Sequence, residues 1–173
     1  NVKNLNNVVL NNVVTKKNDK FKLVIISRFK KHKNISFFER LYKNGLNEII
    51  EVYGDKGDDK KNIENLISLY DKVYLKEKFI IKSAPFDNSR PVLIHPSYIE
   101  GTSNTILEAL SFGVPVIANN IKQNSFLKNN GENGVFLINT QKPNLWLKKI
   151  NQLKEDRNYY NKISNNGKSY VID

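Results

Sequence analysis

Cysteine is absent from this 173-residue chain, and so is methionine. Without cysteine there is no disulfide and no thiolate metal site, and with only two histidines a zinc centre is not expected. No stretch approaches the roughly 20 consecutive apolar residues of a membrane-spanning helix. The N-terminal stretch also lacks the apolar core of a signal peptide, so a cytoplasmic location is the default expectation. Methionine is missing even at position 1, and the chain is therefore expected to be an excised or partial segment. Arginine is scarce, limited to Arg28, Arg40, Arg90 and Arg157.

Lysine and asparagine are abundant instead, and the formal net charge is +11 at pH 7. We read the enrichment as a base-composition bias of the genome. Nucleic-acid binding would call for a basic stripe interleaved with stacking aromatics, and no motif of that kind is present. Peripheral contact with an anionic membrane face also fits the charge, which by itself decides nothing. At this length one domain with a substantial core needs no covalent staples.

The order of elements predicts an α/β fold with a parallel, doubly wound sheet. Residues 1–20 form an Asn-rich entry segment, with room for one short strand, and residues 21–173 form the domain. Strands are expected at 21–26, 49–53, 73–75, 92–95, 116–118 and 135–138, from their short apolar runs. Ser36-x-x-Glu39 reads as a capping box and Asn44-Gly45 as the helix end. A helix over 58–70 presents Ile63, Leu66, Ile67 and Tyr70 to the core. Tyr74 and Leu75 are read as core residues ahead of a pocket-lining role, and Trp146 as core packing ahead of a ligand contact. Two prolines and several turn formers in 83–91 predict a long loop and a short helix. Pro143 suits the first turn of a helix presenting Trp146, Ile150 and Leu153. A final helix from about Arg157 presents Tyr160, Ile163, Tyr170 and Val171.

The most informative stretch is His95–Val116, HPSYIEGTSNTILEALSFGVPV. A strand ends at His95, a polar turn holds Gly101, and helical periodicity starts at Asn104 and stops at Gly113. A helix starting near Ser103 or Asn104 points free N–H groups and its positive dipole end into the crevice beyond the strands. Glu100 and Glu108 flank that helix start with acceptors suited to hydroxyls. Phosphate donors beside two hydroxyl acceptors suit a nucleotide sugar. On another reading, Thr105-x-x-Glu108 is a capping box and Glu108 is structural, while Glu100 is a solvated loop carboxylate.

The residues E-G-T-S-N-T-I-L-E-A-L, followed by F-G-V-P-V-I-A, resemble the E-x7-E motif of retaining family 4 glycosyltransferases. That resemblance implies the GT-B fold, with this chain as its C-terminal, donor-binding Rossmann-like half and the acceptor-binding N-terminal domain absent. It implies that Glu100 contacts sugar hydroxyls, Glu108 the ribose hydroxyls, and the amides of Gly101, Thr102, Ser103 and Asn104 the diphosphate. Ser27-Arg28-Phe29 through Lys33 is similar to the family's G-R-L-x-x-x-K loop, with Ser27 in place of glycine, and this puts Arg28 and Lys33 on the diphosphate. A bidentate Arg and a mobile Lys suit phosphate oxygens; in a lysine-rich chain the same residues also read as a solvated basic loop. Gly54 and Gly57 stand where relatives have G-x-G, the second glycine one residue late. The segment E-N-G-V-F-L resembles the family's N-G-x-L-V.

By this resemblance the chain is a domain of a retaining, hexosyltransferase-type enzyme. Its donor is a sugar linked to UDP or GDP, its acceptor a glycan or a lipid-linked molecule, and no cofactor or metal is implied. Glu100, Arg28 and Lys33 lie at the reacting centre, and on its own the domain binds donor weakly and transfers nothing. A non-catalytic nucleotide-sugar-binding module, a nucleotide-sugar epimerase of the same architecture and a basic nucleic-acid binder stand as alternatives.

Overall fold

The computed structural model describes residues 20–76, 89–101, 104–127 and 131–172. The entry segment up to residue 19 lies outside the described residues, as do most of the expected long loop (77–88) and Thr102, Ser103, Asn129 and Asn130.

Six strands alternate with helices. β1 (Phe21–Ile26), β2 (Ile50–Tyr53), β3 (Val73–Lys76), β4 (Arg90–His95), β5 (Val116–Asn119) and β6 (Val135–Ile138) form one sheet in the order β3-β2-β1-β4-β5-β6. Every pairing is parallel, for example Leu23 opposite Ile50 and Val92. This is the doubly wound order, which reverses direction between β1 and β4. In such sheets the crevice for a ligand opens at that switch point, beyond the carboxyl ends of the strands. The last residues of β1 and β4 therefore define where a site should lie.

Helices cover both faces because alternate strand residues are apolar on both. Leu23, Ile25, Ile50, Val52, Val92, Ile94 and Ile117 share one core cluster. They pack with Phe37, Phe38 and Leu41 of α1 (Phe37–Lys43), Ile63 and Ile67 of α2 (Lys60–Ile67), and Trp146 of α4 (Pro143–Glu155). Leu93, Val116, Ala118 and Val135 pack instead with Ile106, Ala109 and Leu110 of α3 (Asn104–Ser111). Trp146 is fully buried, edge-on to Phe37 at 4.8 Å, and donates its indole N–H to the Asn139 carbonyl at 3.2 Å. α5 (Arg157–Ile172) lies against α3 and α4.

Gly113 ends α3 as its position predicts. It has φ +71°, its N–H donates to Leu110 O at 2.8 Å, and Val114 N–H reaches back to Ala109 O at 2.9 Å. This pair of bonds satisfies the last carbonyls of the helix. A Cβ there would also meet Lys168 Cε of α5 at 2.3 Å. Gly45 ends α1 in the same way, with φ +99° and a Leu46 N–H bond to Leu41 O at 2.9 Å.

Several expectations are corrected. Tyr74 and Leu75 are 45 and 41% exposed, because β3 is an edge strand and only its first residue, Val73, is buried. Tyr170 and Val171 are exposed, since the buried side of α5 runs through Tyr160, Ile163 and Gly167. Ser36 does stand at the start of α1, but its side chain makes no cap bond, and Glu39 pairs with Lys43 instead. α2 is shorter than 58–70, and Tyr70 packs from beyond its end. β4 starts two residues before Val92, with Pro91 near the strand's first residue, where its missing N–H costs least.

Candidate functional site

Two loops meet at the switch point. The first leaves β1 through Ser27, Arg28 and Phe29 and makes a single 3-10 turn over Lys31–Lys33. Phe29 is fully buried and anchors it. The backbone of Phe29 is clamped by the loop after β2, its N–H donating to Lys56 O at 2.6 Å and its carbonyl accepting from Asp59 N–H at 3.0 Å. Gly54 and Gly57 make that approach feasible. A Cβ on Gly57, at φ +139°, would sit 1.8 Å from the Phe29 carbonyl oxygen, and one on Gly54 would sit 2.2 Å from that of Ser27.

The second loop leaves β4 at His95 and runs to Gly101. Its backbone is gripped by two buried asparagines. Asn34, in the left-handed conformation at φ +51°, donates its amide to Pro96 O at 3.1 Å. Asn119, at the end of β5, donates to Ser97 O at 3.0 Å and accepts from Thr140 N–H at 3.2 Å. Tyr98 N–H donates to His32 O at 2.8 Å, joining the two loops directly.

Glu100 lies where these restraints converge, its side chain only 6% exposed. Lys33 Nζ donates to both of its carboxylate oxygens, at 2.9 and 2.8 Å, and His95 Nε2 approaches Oε1 at 2.9 Å. Burial alone would push the carboxyl pKa up; the bonds from His95, Lys33 and Ser97 and the charge of His95 outweigh it and hold the pKa at about 2. Glu100 is thus a fixed, ionised acceptor at neutral pH, and its reading as a solvated loop carboxylate does not survive. Lys33, expected on a diphosphate, bonds Glu100 here.

The other expected residues surround this centre. Arg28 is exposed at the carboxyl end of β1 and forms no ion pair among the described residues. Gly101 is exposed, with open space around the position of a Cβ. Asn104 is exposed and is the first residue of α3; Thr102 and Ser103, before it, lie outside the described residues. Glu108 is half-buried in α3, one turn past the first helical residue. Because α3 already includes Asn104, Thr105 lies inside its first turn and is not the cap residue of a box ending at Glu108. His95 and Asn34 carry no site role in the sequence reading, and Asn119 is expected there only at the carboxyl end of its strand, near the crevice. His95 does leave a trace in the sequence, as the polar end of an apolar strand, directly before a proline.

A separate groove of about 390 Å³ lies beside α4, lined by Asn120, Leu137, Asn139, Lys142 and Leu145 among others. Among the described residues, no helix is long and apolar enough to cross a membrane.

The strand order, the all-parallel pairing and the crevice at the β1/β4 switch point define a Rossmann-like domain of the type that GT-B glycosyltransferases contain. Residues 10–170 match the family described as Glycosyl transferases group 1, and the chain belongs to that family. It is 27% identical over 165 residues to the capsular polysaccharide biosynthesis glycosyltransferase CapM of Staphylococcus aureus, covering 89% of this chain and 42% of that protein. Its fold matches sucrose-phosphate synthase from Thermosynechococcus elongatus with a TM-score of 0.76 and 20% identity, over 90% of this chain and 41% of that one. HepE of Anabaena, solved with UDP and glucose, matches with a TM-score of 0.76 and 20% identity, over 90% and 44% of the respective chains. The chain spans less than half the length of each of these proteins.

Proposed function

We propose that this domain binds a nucleotide-activated sugar, as the donor half of an enzyme that transfers the sugar with retention of anomeric configuration. The observation that carries the reading is Glu100, a buried carboxylate kept ionised at the switch point of the sheet, between a basic loop and the start of a helix. Glu100 accepts hydroxyls of the sugar. Arg28 and Lys33, with the free N–H groups at the start of α3, take the diphosphate. Glu108 accepts the ribose hydroxyls. As the glycosidic bond to the donor breaks, negative charge grows on the departing nucleoside diphosphate. Preorganised cations and backbone donors aimed at that charge lower the barrier without moving a proton. Glu100 and Glu108 orient the donor.

The nucleotide is uridine diphosphate on this reading, which the UDP-bound state of HepE supports. The acceptor is a glycan or a lipid-linked precursor of one, in keeping with the polysaccharide role in the name of CapM. A net charge of +11 suits work at the anionic inner face of a membrane, where a lipid-linked acceptor would lie. Family membership favours transfer over epimerisation and over a purely binding module.

Calorimetric titration with UDP, GDP and ADP tests the reading. Saturable binding selective for UDP, weakened at least tenfold in Arg28→Ala, is the expected result. Absence of binding by all three, or binding indifferent to Arg28, would overturn it.

A further inference from the structure

The described contacts of Glu100 include a residue that the E-x7-E motif does not name. A carboxylate offers about four acceptor directions. Here Lys33 uses two of them, His95 takes another on Oε1, and Ser97 also donates. A sugar hydroxyl therefore needs one of these donors to give way. Lys33 is the one built to do so. Its side chain is the most exposed of the bonded pair partners, 17% against 5% for His95, and its ammonium ends a long, freely rotating stem. A diphosphate arriving beside Arg28 offers that ammonium a partner of higher charge.

His95 cannot follow. Its ring is buried at the end of the central strand β4, and the two residues after it are pinned through their carbonyls by Asn34 and Asn119. The Nε2 position is thus set by the sheet, while the Lys33 position is set by a loop.

Resting on the donor-site reading above, we propose that His95 is the positioning residue of the sugar subsite. Through its Nε2–H it holds the Glu100 carboxylate in place when Lys33 turns to the donor diphosphate, so that Glu100 meets the sugar hydroxyls already oriented. His95 touches no substrate atom. Its contribution is to the sugar and not to the nucleotide, and this separates it from a residue that merely packs.

The test compares affinities of the chain for UDP, UDP-glucose and UDP-N-acetylglucosamine, in wild type, His95→Leu and His95→Gln. Leucine fills the space without a donor, and glutamine returns an N–H at similar reach. In wild type at least one sugar should bind more tightly than UDP. In His95→Leu, the ratio of UDP-sugar affinity to UDP affinity should fall about tenfold, as expected for a lost hydrogen bond to a charged acceptor. His95→Gln should restore most of that gain. No binding of any of the three overturns the donor-site reading, and the role of His95 with it. An equal loss for UDP and UDP-sugar in His95→Leu, an unchanged sugar gain, or wild-type affinities that ignore the sugar overturns the positioning role alone. Should His95→Leu fail to fold, imidazole NMR of the wild-type chain decides. The His95 Nε2–H resonance should move further with the UDP-sugar than with UDP, and an identical response to both refutes the proposal.

Discussion

Replacing Glu100 by Gln removes the charge on which the site is built, and the cost depends on pH in a calculable way. The folded-state pKa of about 2 lies well below the ordinary 4.5. Between those values the unfolded chain takes up a proton that the folded chain refuses, so stability falls as pH falls. The contribution of Glu100 is complete above about pH 4.5 and is lost as pH drops through 2. At about 1.4 kcal/mol per unit of pKa, the gap amounts to about 3 kcal/mol at neutral pH and about 2 kcal/mol at pH 3.5. With the side chain only 6% exposed, little of this is screened by solvent. Urea unfolding of wild type and Glu100→Gln, at pH 7 and at pH 3.5, isolates the term because every other carboxylate is common to both. We expect the wild type to be more stable by about 3 kcal/mol at pH 7, with the difference narrowing by about 1 kcal/mol at pH 3.5. A difference that stays constant or widens in acid would refute the placement of Glu100 as a bonded, buried anion.

Gly57→Ala forces a Cβ into the Phe29 carbonyl at a left-handed backbone angle. We expect a loss of about 2–4 kcal/mol in urea unfolding, together with weakened UDP binding as the Arg28–Lys33 loop shifts. Glu108→Ala should leave stability within about 0.5 kcal/mol of wild type, because Glu108 caps nothing among the described residues, while reducing UDP affinity; a stability loss near 1 kcal/mol with unchanged affinity would restore the capping-box reading. Trp146→Ala should cost about 3–5 kcal/mol, measured by urea unfolding, because a fully buried indole and its edge-on contact with Phe37 are lost together.

The strands were legible because a doubly wound sheet writes itself as short apolar runs, and all six fall within two residues of their expected bounds. The motif was legible for a related reason, since Glu100, Gly101, Glu108 and Gly113 lie on one contiguous strand–loop–helix unit. The supports of the site were not. Asn34 and Asn119 act on backbone carbonyls 62 and 22 residues away, and no local pattern signals such partners. Gly57 looks like an ordinary turn residue until the packing of Phe29 is known. Tyr74 and Leu75 were misread because their runs are apolar, whereas exposure is decided by the position of β3 at the sheet edge, which periodicity does not encode. The charge of Lys33 points to a phosphate, whereas the fold sets its ammonium on Glu100.

The most direct test of the central claim is amide NMR mapping of this chain during titration with UDP. We expect the largest shifts in residues 27–33 and 95–108, at the carboxyl ends of β1 and β4, with the groove beside α4 unaffected. No shifts at all, or shifts centred on Asn139, Lys142 and Leu145, would contradict it.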